Sequence, residues 1–292
     1  MKQRLIVVLG PTAAGKSELG IELAQRLDGE VVNADSMQLY QGMNVGTAKL
    51  TNDERQGVAH HLLDIWPVTR TASVAEYQTR ARAAIDDIAA RGRVPILVGG
   101  SGLYIRAVID EMRFPGTDGD VRARLEAELA VVGAAALHER LAALDAATAS
   151  VILPTNGRKI VRALEVAAIG GGAFTGLMPA YASLYDAVLI GLDRPTSDLD
   201  DRLTRRVDAM WDRGLVDEVR GLVGHGLRDG VTARRALGYK QVLAMLDGQL
   251  SEDEARARTV QATKRFVRRQ RSWFRPDPRI NWIAAPPMLE KP

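Results

Sequence analysis

LIVVLGPTAAGKS, residues 5–17, decides the fold. Its first five residues, LIVVL, form an apolar run that reads as a buried strand, and GPTAAGKS, residues 10–17, fits the phosphate-binding pattern GxxxxGK[ST] at every position. Beyond it, Leu19, Leu23 and Leu27 share one face of a helix expected over residues 16–27. Strand, glycine-rich loop and helix in that order direct backbone N–H groups and the positive end of a helix at one anion site. Gly10, Pro11, Thr12, Ala13, Ala14 and Gly15 form the cradle, Lys16 adds a point charge, and the Ser17 hydroxyl can ligate magnesium. Thr12 is an additional hydroxyl that can reach a phosphate or steady the turn. The loop alone does not decide among hydrolysis, phosphoryl transfer and retention of a diphosphate.

Outward from the loop, the alternation continues. Residues 30–34 read as a second strand ending at Asp35, residues 74–91 as a helix stopped by Gly92, and residues 94–98 as an apolar strand running into GGSG, residues 99–102. Such alternation implies a parallel sheet with its ligands at the carboxyl edge. From residue 112 to 185 the chain changes character. Residues 121–132, 134–144 and 158–169 have helical spacing, and no strand pattern returns until 187–192. Helices then dominate to about residue 274, with one short strand at 280–284. The fold expected is α/β: a P-loop NTPase-like parallel sheet flanked by helices, its core in residues 1–111 and 186–292, with an all-helical domain inserted at 112–185 and bounded by the GGGAFTG loop at 170–176.

Composition excludes several classes. With 46% apolar and 26% charged residues the chain is an ordinary globular sequence, and with no cysteine it carries neither disulfides nor cysteine-ligated zinc, which makes the cytoplasm the default compartment. The first apolar run is too short for a signal peptide, and no run approaches the roughly 18 residues of a membrane span. A net charge of +3 is modest, so a nucleic-acid signal must come from charge placement.

That placement is uneven. Between Arg256 and Arg279 stand nine Lys/Arg and one acid, Asp277. Helical spacing sets Lys264, Arg268, Arg271 and Arg275 in a cationic stripe opposite Phe266, Val267, Gln270, Trp273 and Phe274, the face expected to pack on the core. A second basic helix, GRKIVRALEV at 157–166, carries Arg158 and Arg162 one turn apart, with Ile160, Ala163, Leu164 and Ala167 toward the core. So one-sided a distribution favours a phosphate backbone as partner.

Phosphoryl transfer by such loops uses a further strand-end carboxylate for magnesium, yet VPILV ends in Gly99 and Gly100. The remaining strand-end acid, Asp35, could bind magnesium, cap a turn or act as a base. The adjacent His60 and His61 diverge on any regular element and read as structural or substrate-side residues rather than metal ligands.

GPTAAGKS, NADSMQLYQGMNVGTAK, HHLLDI, PILVGGSGLY, GRKIVRALEV, RRALGYK and KRFVRRQRSWFR, in this order, resemble the bacterial tRNA dimethylallyltransferases, also called tRNA isopentenyltransferases of the IPP transferase family. The resemblance spans residues 5–282 and is thin over 113–150. It implies transfer of the dimethylallyl group from dimethylallyl diphosphate to N6 of adenosine 37 in tRNA, with Mg²⁺ and with diphosphate as leaving group; a monomer is expected, although no residue pattern marks the oligomeric state. Carried over, residues 12–17 bind the diphosphate, with Thr12 and Asp35 catalytic. Asp35, Ser36, Met37, Gln38, Ser101, Arg122, Arg158, Lys159, Ile160, Val161 and Arg162 match positions that contact tRNA, and Lys264, Arg268 and Arg271 of the basic stripe join them. Ser101 stands where threonine is usual and Ala14 where serine is common. Two other classes stay open: an ATP-dependent small-molecule or nucleoside kinase with Asp35 as base, and a non-catalytic RNA-binding module.

Overall fold

A computed structural model describes residues 2–170 and 180–284. Apart from Gly170, the GGGAFTG stretch lies outside them.

Residues 2–111 and 183–284 make one compact unit. Its sheet has six parallel strands in the order β3-β2-β4-β1-β5-β6: β1 (Arg4–Leu9), β2 (Gly29–Asn33), β3 (His60–His61), β4 (Val94–Gly99), β5 (Asp186–Asp193) and β6 (Ile280–Ala284). The central strands are covered on both faces, which is why they read as near-continuous apolar runs. Odd residues of β1 (Leu5, Val7, Leu9) enter one core with Tyr77 and Ile85 of α2 (Val74–Ala90). Even residues (Ile6, Val8) enter the other with Ala24 of α1 (Lys16–Leu27), Ile96 and Val98. This is the period of two expected of a strand.

The helix α3 (Gly102–Ile109) has no sequence counterpart above, because GLYIRAVI is buried from Tyr104 through Ile109 and therefore shows no amphipathic period. The two-residue β3 is too short for any pattern. After β5 come α7 (Thr196–Asp212), α8 (Leu215–Gly224), a 3₁₀ turn (Ala233–Arg235), α9 (Tyr239–Leu246) and α10 (Glu252–Phe274), the last opened by a Ser251–Glu254 capping box. None of the described helices is long and apolar enough to cross a membrane.

Residues 112–170 and 180–182 form a second compact unit. It contains α4 (Gly119–Leu144), α5 (Ala146–Ser150) and α6 (Gly157–Ala168) around Leu125, Leu137, Leu141, Ile160, Val161 and Leu164. α4 is broken at Gly133 (φ 81, ψ 169), so the two helices expected at 121–132 and 134–144 abut there. Ala167, expected toward the core, is exposed. Residues 183–185 belong with the sheet: the Leu184 N–H donates to Ile109 O (2.8 Å), and Tyr185 joins the main core.

Candidate active site

Parallel strands bring the carboxyl ends of β1, β2 and β4 to one edge, and the chain switches direction in the sheet beside β1. Such a switch point is where open α/β sheets open a crevice. Here a cavity of about 840 Å³ lies against the phosphate loop, with Thr12, Lys16, Ser17, Asp35, Gln38 and Gly100 in its wall.

The loop is shaped by close approaches. Gly10 (φ 142) and Gly15 (φ 102) hold conformations that suit glycine, and a Cβ at Gly10 would overlap the Leu192 carbonyl oxygen. Ala13 also has positive φ (68°). Thr12 donates from N–H (3.0 Å) and Oγ1 (3.3 Å) to Oε1 of Gln270 on α10, whose Nε2 donates to Gly100 O (3.0 Å). Arg194, just past β5, donates from Nε to Ala14 O (3.2 Å). Lys16 Nζ donates to Pro11 O (2.8 Å), and desolvation, with the nearby Arg206 charge, brings its pKa down to about 8.

Asp35 is half-buried. Its backbone is held by Asn33, which accepts from Asp35 N–H at Oδ1 (2.9 Å) and donates to Asp35 O from Nδ2 (3.1 Å). Asp35 Oδ1 accepts from Met37 N–H (2.9 Å) in an Asx turn, while Oδ2 has no protein partner among the described residues. The turn-capping and cavity-facing readings of this residue are thus compatible. Ser101 Oγ accepts from Ser36 N–H (3.3 Å), joining the β2 and β4 ends, and Gln38 Nε2 donates to Thr47 O (3.2 Å).

A cationic wall on α7 has no counterpart among the residues expected from the sequence. α7 buries Leu199, Leu203 and Val207, while Arg202, Arg205 and Arg206 line the cavity. Lys16, Arg205, Arg206 and Arg213 face it with no ion-pair partner among the described residues. The i, i+3, i+4 spacing of arginines in DRLTRR was the available signal. Helical spacing assigns Gln270 only to a packing face; nothing in a helix pattern says that a buried glutamine will bond a loop more than 250 residues away.

His60 lines the cavity, with Nδ1 at 2.9 Å from Val58 O and its pKa lowered by desolvation. His61 turns to Glu30 (2.6 Å). No cluster of three His, Cys, Asp or Glu able to hold a metal occurs among the described residues.

Several expected RNA contacts are engaged elsewhere. Arg271, only 12% exposed, donates to Asp193 Oδ1 (2.9 Å), Thr196 Oγ1 (2.8 Å) and the Arg194 carbonyl, so it braces the β5 end instead of joining the exposed stripe. Lys264 and Arg268 lie 3.5 and 3.9 Å from Asp200. In the helical unit Ile160 and Val161 are core residues, so their side chains are withheld from any RNA, as the buried face of α6 requires. Arg158 and Lys159 are exposed. Arg122 (2.5 Å) and Arg162 (2.8 Å) both bond the buried Glu165. On α10, Val267 and Phe274 are buried as expected, whereas Trp273 is 41% exposed beside Gly102.

Fold and loop together define a protein of the P-loop NTPase-like α/β class. The IPP transferase family model matches residues 38–277, and the chain belongs to that family. It is 66% identical to a tRNA dimethylallyltransferase of Acidothermus cellulolyticus, covering 97% of this chain and 89% of that one. A tRNA dimethylallyltransferase of Streptomyces avermitilis is 64% identical, covering 99% and 93%. Among solved structures, the full-length tRNA isopentenylpyrophosphate transferase of Bacillus halodurans is similar with a TM-score of 0.72 at 40% identity, covering 97% of this chain and 90% of that one. A eukaryotic dimethylallyltransferase acting on tRNA gives 0.82 at 26% identity, covering 97% and 74%.

Proposed function

We propose that this chain is a tRNA dimethylallyltransferase that moves the dimethylallyl group from dimethylallyl diphosphate to N6 of adenosine 37. The observation that carries the reading is one cavity bounded by both the phosphate loop and Asp35, which Lys16, Arg205, Arg206 and Arg213 face with no ion-pair partner among the described residues. A diphosphate leaving group needs neutralisation, and an exocyclic amine, a weak nucleophile, needs a placed base. The loop N–H groups, Lys16 and the α7 arginines supply the first, and Asp35 Oδ2 the second. N6 attacks the allylic carbon, the carbon–oxygen bond to diphosphate breaks, and the N6 proton passes to Asp35. The adenine must leave the anticodon-loop stack to reach this depth, as single-stranded bases readily do.

Magnesium fits a site with one protein hydroxyl, Ser17, because this ion is commonly held by few protein ligands together with substrate phosphates and water. When bound it offsets diphosphate charge. Arg158 and Lys159, exposed on α6, together with Lys264 and Arg268, are the cations we assign to tRNA, whereas Arg122 is held by Glu165; Ser36, Met37, Gln38 and Ser101 serve it near the base. We further place the enzyme in the cytoplasm as a monomer, which light scattering tests.

The kinase alternative has no support from the relatives. Purified protein given labelled dimethylallyl diphosphate and unmodified tRNA should transfer label without ATP. ATP-dependent phosphorylation without prenyl transfer would overturn the reading.

A further inference from the structure

One carboxylate on α8 gathers four donors. Glu218 Oε2 accepts the N–H groups of Asn44 (2.9 Å) and Val45 (2.7 Å), and Oε1 accepts the Gly46 N–H (3.2 Å) and the Tyr239 hydroxyl (2.5 Å). Consecutive backbone N–H groups converging on one anion form a concave nest, whose shape depends on the anion at its centre. The loop is also pressed close: a Cβ at Gly46 would overlap the Tyr239 ring and the Leu215 side chain. Lys49, which is buried, closes the loop from its far end by donating to Tyr40 O (2.9 Å), Asn44 Oδ1 (3.0 Å) and Asp64 Oδ1 (2.5 Å).

Neither Glu218 nor Tyr239 lines the cavity at the phosphate loop, yet the side chains that this loop holds do. The Thr47 carbonyl, one residue past the nest, accepts from Gln38 Nε2 (3.2 Å) and from a terminal nitrogen of Arg206 (3.4 Å). For Arg206 this is the one hydrogen bond among the described residues. Lys16 and Arg213 lie within electrostatic reach of Arg206, so like charges push it away from the site and the Thr47 carbonyl opposes them. The carbonyl does so only while its own loop is fixed, and Glu218 fixes it.

We propose that Glu218 is a positioning residue for the diphosphate site: through the amides of residues 44–46 and the Thr47 carbonyl, it holds the Arg206 guanidinium toward the phosphate loop. The inference rests on the proposed function for its ligand.

The test uses the full chain with magnesium and inorganic diphosphate, titrated by calorimetry. Glu218→Gln offers one acceptor oxygen to four donors and turns an amide nitrogen toward the rest, so diphosphate affinity should fall about tenfold. Lys16 reports the cause. Burial and then Arg206 lower its pKa to about 8, while Asp35 and Glu18 raise it. An Arg206 released from Thr47 repels Lys16 less, so the pH at which affinity falls should move up from about 8. In an Arg206→Ala background Glu218→Gln should change affinity by no more than about twofold, because both changes remove one interaction. Asp217→Asn, which removes the same charge from the exposed neighbouring position, should leave affinity and its pH dependence as they are. Unchanged affinity in Glu218→Gln, or losses that multiply in the double variant, would overturn the proposal. Where thermal unfolding shows that Glu218→Gln does not fold, Tyr239→Phe takes away one donor and keeps the ring. It should weaken diphosphate binding about threefold, again only when Arg206 is present, and an unchanged affinity overturns the proposal. Prenyl transfer is scored separately with labelled dimethylallyl diphosphate and tRNA. Its absence in the unaltered chain refutes the proposed function and leaves the diphosphate result standing.

Discussion

Gln270 and Thr12 are joined by two hydrogen bonds across 258 positions of sequence: one glutamine oxygen accepts both the backbone N–H (3.0 Å) and the hydroxyl (3.3 Å) of the threonine. Its amide nitrogen donates to Gly100 O, so one buried side chain on α10 ties the phosphate loop to the end of β4. Gln270→Ala removes an acceptor and a donor from partly or wholly buried groups. The expected loss is about 1–3 kcal/mol of stability with a raised donor KM, read by thermal unfolding and steady-state kinetics. Gln270→Glu keeps the acceptor for Thr12 but sets a carboxylate oxygen against the Gly100 carbonyl, and should be no better than alanine.

Gly10→Ala and Gly102→Ala should differ in severity. At Gly10 the added Cβ meets the backbone oxygen of Leu192 at a positive φ, and nothing there can move aside. At Gly102 it meets the Trp273 ring, which is 41% exposed and can turn outward. Denaturant unfolding should place Gly10→Ala above the 1–3 kcal/mol typical of overpacking and Gly102→Ala within about that range. The reverse order would show that α10 is the stiffer neighbour.

Asp35→Asn separates the two jobs of this residue. Asparagine can still accept the Met37 N–H and keep the Asx turn, but it cannot take a proton. A kcat loss on the order of 10² to 10⁴ is expected, with tRNA affinity and melting temperature kept. An unchanged kcat would remove Asp35 from the chemistry.

Lys16 gives a pH dependence with a definite sign. Desolvation and Arg206 lower its pKa to about 8, so its charge is present below that value and lost as pH rises through it. Donor affinity should therefore fall from pH 7 to pH 9. A bound diphosphate raises the pKa again, so binding near pH 8.5 takes up a proton, seen as a buffer-dependent heat in calorimetry. Equal heats in buffers of different ionisation enthalpy would contradict this.

Glu165 controls the acid stability of the helical unit. Burial by itself would raise its pKa, but hydrogen bonds from Arg122, Arg162 and the Asp118 N–H outweigh it and the pKa is lowered. A carboxylate depressed in the folded state contributes stability above its unfolded pKa, and that contribution is lost as pH falls through the folded one. Glu165→Gln should cost on the order of 2 kcal/mol at pH 7 and much less near pH 3, measured by urea unfolding at both.

The sheet and its loop were legible because central parallel strands are apolar throughout and glycine, lysine and serine have fixed offsets in a phosphate cradle. Residues 16–27 read as a helix from three leucines, and the structure has α1 there. α3 escaped because burial on all sides erases the period that reveals a helix. Arg271 misled because helical spacing assigns a residue to a face but says nothing of what lies opposite; here that was Asp193.

By itself the sequence determined the strand-loop-helix start, the order of elements, the placement of basic residues and the family. Tertiary structure alone decided which charges are available. Arg205 and Arg206 meet the cavity unpaired, while Arg271 and Arg122 are bound to Asp193 and Glu165. It also decided that Gln270 grips Thr12. The physical reason is that local pattern sets a residue's direction on its own element, whereas hydrogen-bond and ion-pair partners come from elements brought near only when the sheet closes its order.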